Sequence, residues 1–134
     1  MHHERRIARY IALVVGGLLC AAGVLHDIVN IPSYRRALAR GEIAERMGPQ
    51  LVVNVALAGL ALALMGVLLV LIAPELGKGR RTAWLIGNVI GSFLVFVGVG
   101  AYLWLPRAGV LMFSVLGGLL CGPLLVWRKE FLVE

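Results

Sequence analysis

Charged side chains are scarce in this chain. Asp, Glu, Lys and Arg together make up 15% of its 134 residues, whereas soluble domains carry about 25%. Hydrophobic residues make up 60%, and the mean hydropathy is +0.92. This composition excludes an ordinary soluble domain and predicts an all-α integral membrane protein whose first partner is the lipid bilayer.

Cysteine and histidine are also few. Cys20 and Cys121 both lie inside apolar runs, where a thiol behaves as a small hydrophobic side chain, so no disulfide framework is expected. His26 is the one histidine inside such a run, and no second nitrogen or thiolate stands at ligand spacing from it. We predict no metal site, and the sequence identifies no cofactor.

Acidic residues number seven against thirteen basic ones, which gives a net charge of +6. The basic residues stand in short segments between apolar runs and form no basic face of a soluble fold. Membrane topology and anionic lipid headgroups explain them better than nucleic acid does, so no nucleic-acid partner is predicted. The sequence contains no catalytic motif of a soluble enzyme, no phosphate-binding glycine loop and no internal repeat.

Four apolar runs are each close to the roughly 20 residues that cross a bilayer as a helix. They predict a single domain over residues 1–134, a four-transmembrane-helix bundle with helices at about 9–30, 50–73, 83–105 and 108–127. Residues 33–47 fit a short amphipathic segment in the interface, with Ser33 as its N-cap and Gly41 interrupting it. The alternative is a solvated charged linker.

The distribution of cations predicts the orientation. On one side stand eight cations: Arg5, Arg6, Arg9, Lys78, Arg80, Arg81, Arg128 and Lys129. On the other stand five: Arg35, Arg36, Arg40, Arg46 and Arg107. The excess favours both termini in the cytoplasm and a bacterial inner membrane. The basic opening also suits a signal peptide, but Leu19 precedes Cys20 where cleavage needs a small residue, so we expect an uncleaved first helix.

Small residues spaced by four predict where helices pack, because lipid gives apolar helices no hydrophobic drive to associate. The pairs are Gly16 and Cys20, Gly17 and Ala21, Gly59 and Ala63, Gly87 and Gly91, and Gly117 and Cys121. Asn88 and Ser92 form a polar pair at the same spacing and predict a packing hydrogen bond. Gly98 and Gly100 are instead expected to line a cavity, since they fall near the outer polar groups.

Polar residues near the outer ends of the helices form the candidate site. At about 1.5 Å per residue, His26 lies about 24 Å from Tyr10, a depth similar to that of Asn54 on the second helix. The predicted ligand-binding residues are His26, Asn30, Gln50, Asn54, Tyr102 and Ser114. His26 and Asn30 share a face, as do Gln50 and Asn54, and we expect these faces to meet. Asp27 points about 100° away from His26 and is expected to pair with Arg107, with Arg35 or Arg36 as the next candidates.

These features favour a pocket in the outer leaflet that binds a hydrophobic or amphipathic small molecule, quinone- or lipid-like. Two alternatives stay open. In the first, the chain is an accessory subunit of a larger membrane complex or a homo-oligomer. In the second, it is an intramembrane enzyme in which His26, tuned by Asp27, acts as acid or base. In size and layout, four short helices with polar groups near the outer end of the first resemble the DoxX-like small membrane proteins.

Overall fold

The computed structural model describes residues 2–106 and 108–132, and within them the chain is all helical, without a strand. The helices are α1 (His2–Ala39), α2 (Gly48–Gly77), α3 (Arg81–Trp104), α4 (Ala108–Val126) and the short α5 (Lys129–Leu132). The first four are long and apolar enough to cross a membrane. The prediction of four long apolar helices is therefore confirmed.

Helix α1 extends beyond its predicted end at Asn30 and continues through Pro32 to Ala39. Proline has no backbone N–H, so one helical hydrogen bond is absent at Pro32. The Ser33 hydroxyl donates to the Val29 carbonyl at 2.8 Å, so Ser33 lies inside the helix and is not an N-cap. The first part of the segment predicted to be a separate interfacial helix is therefore the last two turns of α1.

Two glycines with positive φ terminate α1 and α2. Gly41 has φ 71° and Gly79 has φ 76°, a region that glycine enters without steric cost. After α1, Gly41 N–H donates to Leu38 and Glu42 N–H donates to Ala37, both at 3.0 Å. Gly79 and Arg80 repeat this pattern after α2. Both ends are thus Schellman motifs, which satisfy the last helical carbonyls.

The chain divides into two compact units. The α1–α2 unit comprises Gly16–Leu68, and the α3–α4 unit comprises residues 1–15 and 69–134. In the α1–α2 unit, a Cβ added at Gly66 would meet the Gly16 carbonyl oxygen and, at 2.6 Å, the Cys20 sulfur. The Cys20 thiol donates to the Ala63 carbonyl at 3.5 Å. The two helices are therefore in backbone-to-backbone contact through small residues.

The predicted packing pairs are confirmed in this unit for Gly16 and Cys20 and for Gly59 and Ala63. Gly23 adds to the contact, because a Cβ there would overlap the Gly59 carbonyl oxygen. The pair Gly17 and Ala21 was predicted wrongly. Gly17 has open space within 4 Å of its Cβ position, and Ala21 is exposed.

In the α3–α4 unit the predicted pairs of both helices are confirmed. A Cβ at Gly91 would overlap the Cys121 sulfur, and a Cβ at Gly117 would overlap the Gly91 carbonyl oxygen. The Trp84 indole donates to the Leu124 carbonyl at 2.7 Å, which ties the start of α3 to the end of α4. Fully buried leucines fill the rest of this core: Leu69, Leu76, Leu94, Leu120 and Leu124.

A pH prediction concerns the loop after α1. Arg40 donates from Nε to Glu42 Oε1 at 2.6 Å and from Nη2 to Oε2 at 3.1 Å, and this bidentate bond holds the pKa of Glu42 below its ordinary value of 4.5. Because the folded pKa is lowered, the pair stabilises the loop above the unfolded pKa and loses this effect as pH falls through the folded one.

We expect carboxyl ¹³C NMR to show Glu42 titrating below 4.5 in the intact protein and at its ordinary value in Arg40→Gln. An unchanged Glu42 titration in the variant would contradict the pairing. Both side chains are more than half exposed, so the effect on overall stability is small.

Candidate functional site

The candidate site is an imidazole–carboxylate pair on α1. His26 Nδ1 lies 3.1 Å from Asp27 Oδ1, and the two side chains are 33% and 26% exposed. Asp27 stands four residues after Gly23, so it continues the ridge by which α1 packs on α2. Its carboxylate occupies the space left by the missing side chain of Gly59. A glycine on α2 therefore makes room for a charged group on α1.

The contact with α2 explains why the two residues are paired. A carboxylate among apolar helices is costly unless it receives hydrogen bonds. Among the residues that the structure describes, His26 is the partner of Asp27. An Nδ1–H that donates to Asp27 fixes the tautomer and leaves Nε2 as the second polar atom of the ring. Nε2 has no hydrogen-bond partner within the described ranges.

The other predicted residues of the α1–α2 unit lie differently from expectation. Asn30 donates from Nδ2 to the His26 carbonyl at 2.8 Å, so its amide is tied to its own helix. Gln50 and Asn54 are exposed. Asn54 precedes Gly59 by five residues and stands about 140° around α2 from it. The residue that contacts α2 is Asp27, which we had expected to point away from that interface.

Two further predicted residues belong to the α3–α4 unit. The Ser114 hydroxyl donates to the Val95 carbonyl at 3.1 Å, and Ser114 lies against Gly98. The expectation that Gly98 lines a cavity is therefore wrong, whereas Gly100 has open space at its Cβ position. Tyr102 is partly buried. That Tyr102 and Ser114 share a layer with His26 stays a prediction.

Arg107, the expected ion-pair partner of Asp27, lies outside the described residues, so that ion pair also stays a prediction. The structure does show how Asp27 is paired within the described part of the chain, through the neighbouring imidazole.

A second polar cluster lies between α3 and α4. Asn88 donates from Nδ2 to the Trp84 carbonyl at 2.8 Å, and the Cys121 thiol donates to the Asn88 carbonyl at 3.4 Å. Ser92 Oγ lies 3.7 Å from the Cys121 sulfur. The expected polar contact is thus present, but it runs through the Cys121 thiol. A shallow groove of about 370 Å³ passes over Trp84, Asn88 and Ser92.

The chemistry of His26 and Asp27 suits hydrogen bonding to a small ligand better than metal binding. Over residues 2–106 and 108–132 there is no group of three His, Cys, Asp or Glu side chains that could hold a metal ion. One imidazole and one carboxylate supply an oriented acceptor or donor, which suits a hydroxyl or carbonyl group.

Sequence reasoning missed two features of the structure. Gly59 was interpreted as a packing residue alone, although its missing side chain accommodates Asp27. The spacing does indicate this contact, because Asp27 follows Gly23 by four residues and Cys20 by seven and so lies on the same face of α1. The second feature is a basic pocket formed by Arg6, Arg9 and Lys78. These residues had been attributed to topology, and nothing in their spacing alone shows that they converge.

In comparisons with known proteins, no family model, curated protein or solved structure matches this chain. The resemblance to DoxX-like proteins is carried by size and layout alone.

Proposed function

We propose that this chain is an integral membrane protein that binds a hydrophobic or amphipathic small molecule, quinone- or lipid-like, with its polar end at His26 and Asp27. One observation carries the proposal. A hydrogen-bonded imidazole–carboxylate pair, only partly buried, lies within a helix that is long and apolar enough to span a bilayer. Ionisable groups at such positions are costly to keep, which favours a functional role.

The pair offers a ligand one well-defined polar contact. With Nδ1–H held by Asp27, Nε2 accepts a hydrogen bond from a hydroxyl, and a protonated ring donates one to a carbonyl. The surrounding surface of α1 is aliphatic: Leu25, Ile28 and Val29 are 59%, 63% and 60% exposed. An amphipathic molecule is therefore favoured over a fully polar one, because its apolar part gains contact with these side chains.

The proposed setting is a bacterial inner membrane with both termini in the cytoplasm. The support for it is the excess of cations in the segments at the ends and between α2 and α3. In this orientation His26 and Asp27 lie toward the extracytoplasmic side, and the ligand reaches them from the outer leaflet.

The test is organic extraction of the protein purified in mild detergent, followed by mass spectrometry of the bound molecules. We expect one amphipathic species to copurify with the wild type and to fall at least about tenfold in His26→Ala, since losing an oriented polar contact costs about 1.4 kcal/mol or more. Ser33→Ala is the matched control, because its hydroxyl bonds its own helix about two turns beyond the site. Equal retention by His26→Ala would reject the proposal.

A second candidate, an accessory or structural subunit, is favoured by one observation. Gly118 and Gly122 on α4 are exposed and have open space at their Cβ positions, as a notch for another helix would have. The same purification distinguishes the two, because a subunit would elute with its complex and carry no retained ligand. The enzyme alternative requires that His26→Ala abolish turnover of the copurifying molecule.

A further inference from the structure

A basic pocket lies in the α3–α4 unit, between the first turns of α1 and the last turns of α2. It encloses about 350 Å³ and is lined by Arg6, Arg9, Pro74, Gly77 and Lys78. A neighbouring pocket of about 430 Å³ shares Lys78 and contains three more guanidinium groups: Arg5, Arg80 and Arg81. Positive-inside topology accounts for the number of these cations, but it does not require that they line a common cavity.

Acidic neighbours neutralise part of this charge. Glu75 Oε1 accepts a hydrogen bond from Lys78 Nζ at 2.5 Å, and Glu130 Oε2 lies 3.3 Å from Arg5 Nε. Arg6 and Arg9 make no ion pair with any residue in the described ranges, and both are exposed. Two arginines therefore line the first pocket with no counter-ion among the described residues, which suits a phosphate group that accepts several hydrogen bonds.

The aliphatic stem of Arg9 packs against the wall of the pocket. A Cβ added at Gly77 would lie 3.3 Å from Arg9 Cδ, so the aliphatic stem of Arg9 runs along the glycine of α2. An arginine held in this way contributes packing through its stem and leaves its charged end to a ligand or to water.

The residues next to the pocket favour a lipid over a free anion. Tyr10, four residues after Arg6, is 58% exposed, and Leu71, seven residues before Lys78, is 67% exposed. Tyr10 lies on the same side of α1 as Arg6 and one turn away from it, and Leu71 lies two turns before Lys78, which directly follows α2. The exposed surface thus passes from cationic to apolar, as an anionic headgroup with attached acyl chains requires.

We propose that this pocket binds the phosphodiester headgroup of an anionic phospholipid, between Arg6 and Arg9, with the acyl chains lying along Tyr10 and Leu71. The inference is independent of the ligand proposed at His26. Lys78, already bonded to Glu75, contributes to the field of the pocket and less to direct contact.

The test is native mass spectrometry of the full chain in mild detergent, titrated with dioleoylphosphatidylglycerol or with dioleoylphosphatidylcholine. We expect the wild type to bind the anionic lipid about tenfold more tightly, and Arg6→Gln with Arg9→Gln to remove this preference. The control is Arg35→Gln with Arg46→Gln, which removes the same charge near the end of α1 and in the following loop and should keep the preference.

Three results would overturn the proposal. The double variant retains its preference, the control loses it equally, or inorganic phosphate at the lipid concentration displaces the lipid, which would make the pocket a free-anion site. Thermal unfolding of each variant accompanies the titration. Should the double variant unfold, the single Arg9→Gln variant is expected to show a loss of several-fold, and an unchanged preference there would equally reject the site.

Discussion

Replacing Gly117 by alanine is expected to destabilise the protein by about 2 kcal/mol, whereas the same replacement at its neighbour Gly118 leaves stability within about 0.5 kcal/mol or raises it. A Cβ at Gly117 would overlap the Gly91 carbonyl oxygen and lie 2.8 Å from Val95 N. Both obstacles are backbone atoms, so α3 and α4 must move apart. At Gly118 no atom lies within 4 Å of the added Cβ, and alanine there gains helix propensity.

Gly117→Ala and Gly118→Ala have the same amino-acid composition, so each variant is the control for the other. Thermal unfolding in detergent, followed by circular dichroism, measures the effect, and several degrees should separate the two midpoints. Equal midpoints would show that α3 and α4 do not depend on close backbone contact. A drop in Gly118→Ala alone would instead indicate that the open face of α4 is covered by another helix.

The second large effect is expected at Gly59. A Cβ there would fall on the carboxylate of Asp27 and displace it. Gly59→Ala is therefore expected to cost about 1–3 kcal/mol and to separate Asp27 from His26. Asp27→Ala removes all three atoms nearest to the new Cβ, so Gly59→Ala should cost at least about 1 kcal/mol less when made in the Asp27→Ala background.

A double-mutant cycle by thermal unfolding measures this coupling. The control cycle combines Gly17→Ala with Asp27→Ala, and it should be additive because Gly17 has open space on α1. Additivity in the Gly59 cycle as well would mean that Asp27 does not occupy the notch. Under the proposed function, the copurified ligand adds an independent readout, since Gly59→Ala should lower its retention even if the helix pair adapts to the methyl group.

Sequence patterns were sufficient for the helices and for most of their packing. Length and hydropathy predicted the four long helices, and the spacing of small residues identified the contacting pairs around Gly16, Gly59, Gly91 and Gly117. These signals are repeated along each helix, so no single residue decides them. Gly17 shows the limit, because a small residue at the right spacing packs only if its face meets another helix.

The end of α1 and the facing of Asp27 depend on single residues and were harder to predict. Proline is a frequent helix breaker, yet α1 passes through Pro32 and ends at Ala39, shortly before the Schellman glycine Gly41. The sequence predicts that Asp27 forms an ion pair with a cation, although its position continues the ridge by which α1 packs on α2. A carboxylate against a glycine becomes plausible only once the distance between the two helices is known.

Comparison of Asp27 with Ser114 explains why the histidine stands where it does. Each side chain lies against a glycine of the adjacent helix, Asp27 on Gly59 and Ser114 on Gly98. A hydroxyl in this position can donate a hydrogen bond to a backbone carbonyl, as Ser114 does to Val95. An ionised carboxylate has no proton to donate, so it needs a donor of its own, which the adjacent imidazole of His26 supplies.

The chain has two cysteines, and each lies in one of the two helix contacts. Cys20 bonds the backbone of α2 and Cys121 that of α3. The alkylation rates of the two thiols therefore report separately on how often each helix contact opens and exposes its cysteine. No label has to be introduced. A reagent that modifies one thiol faster than the other would identify the looser pair.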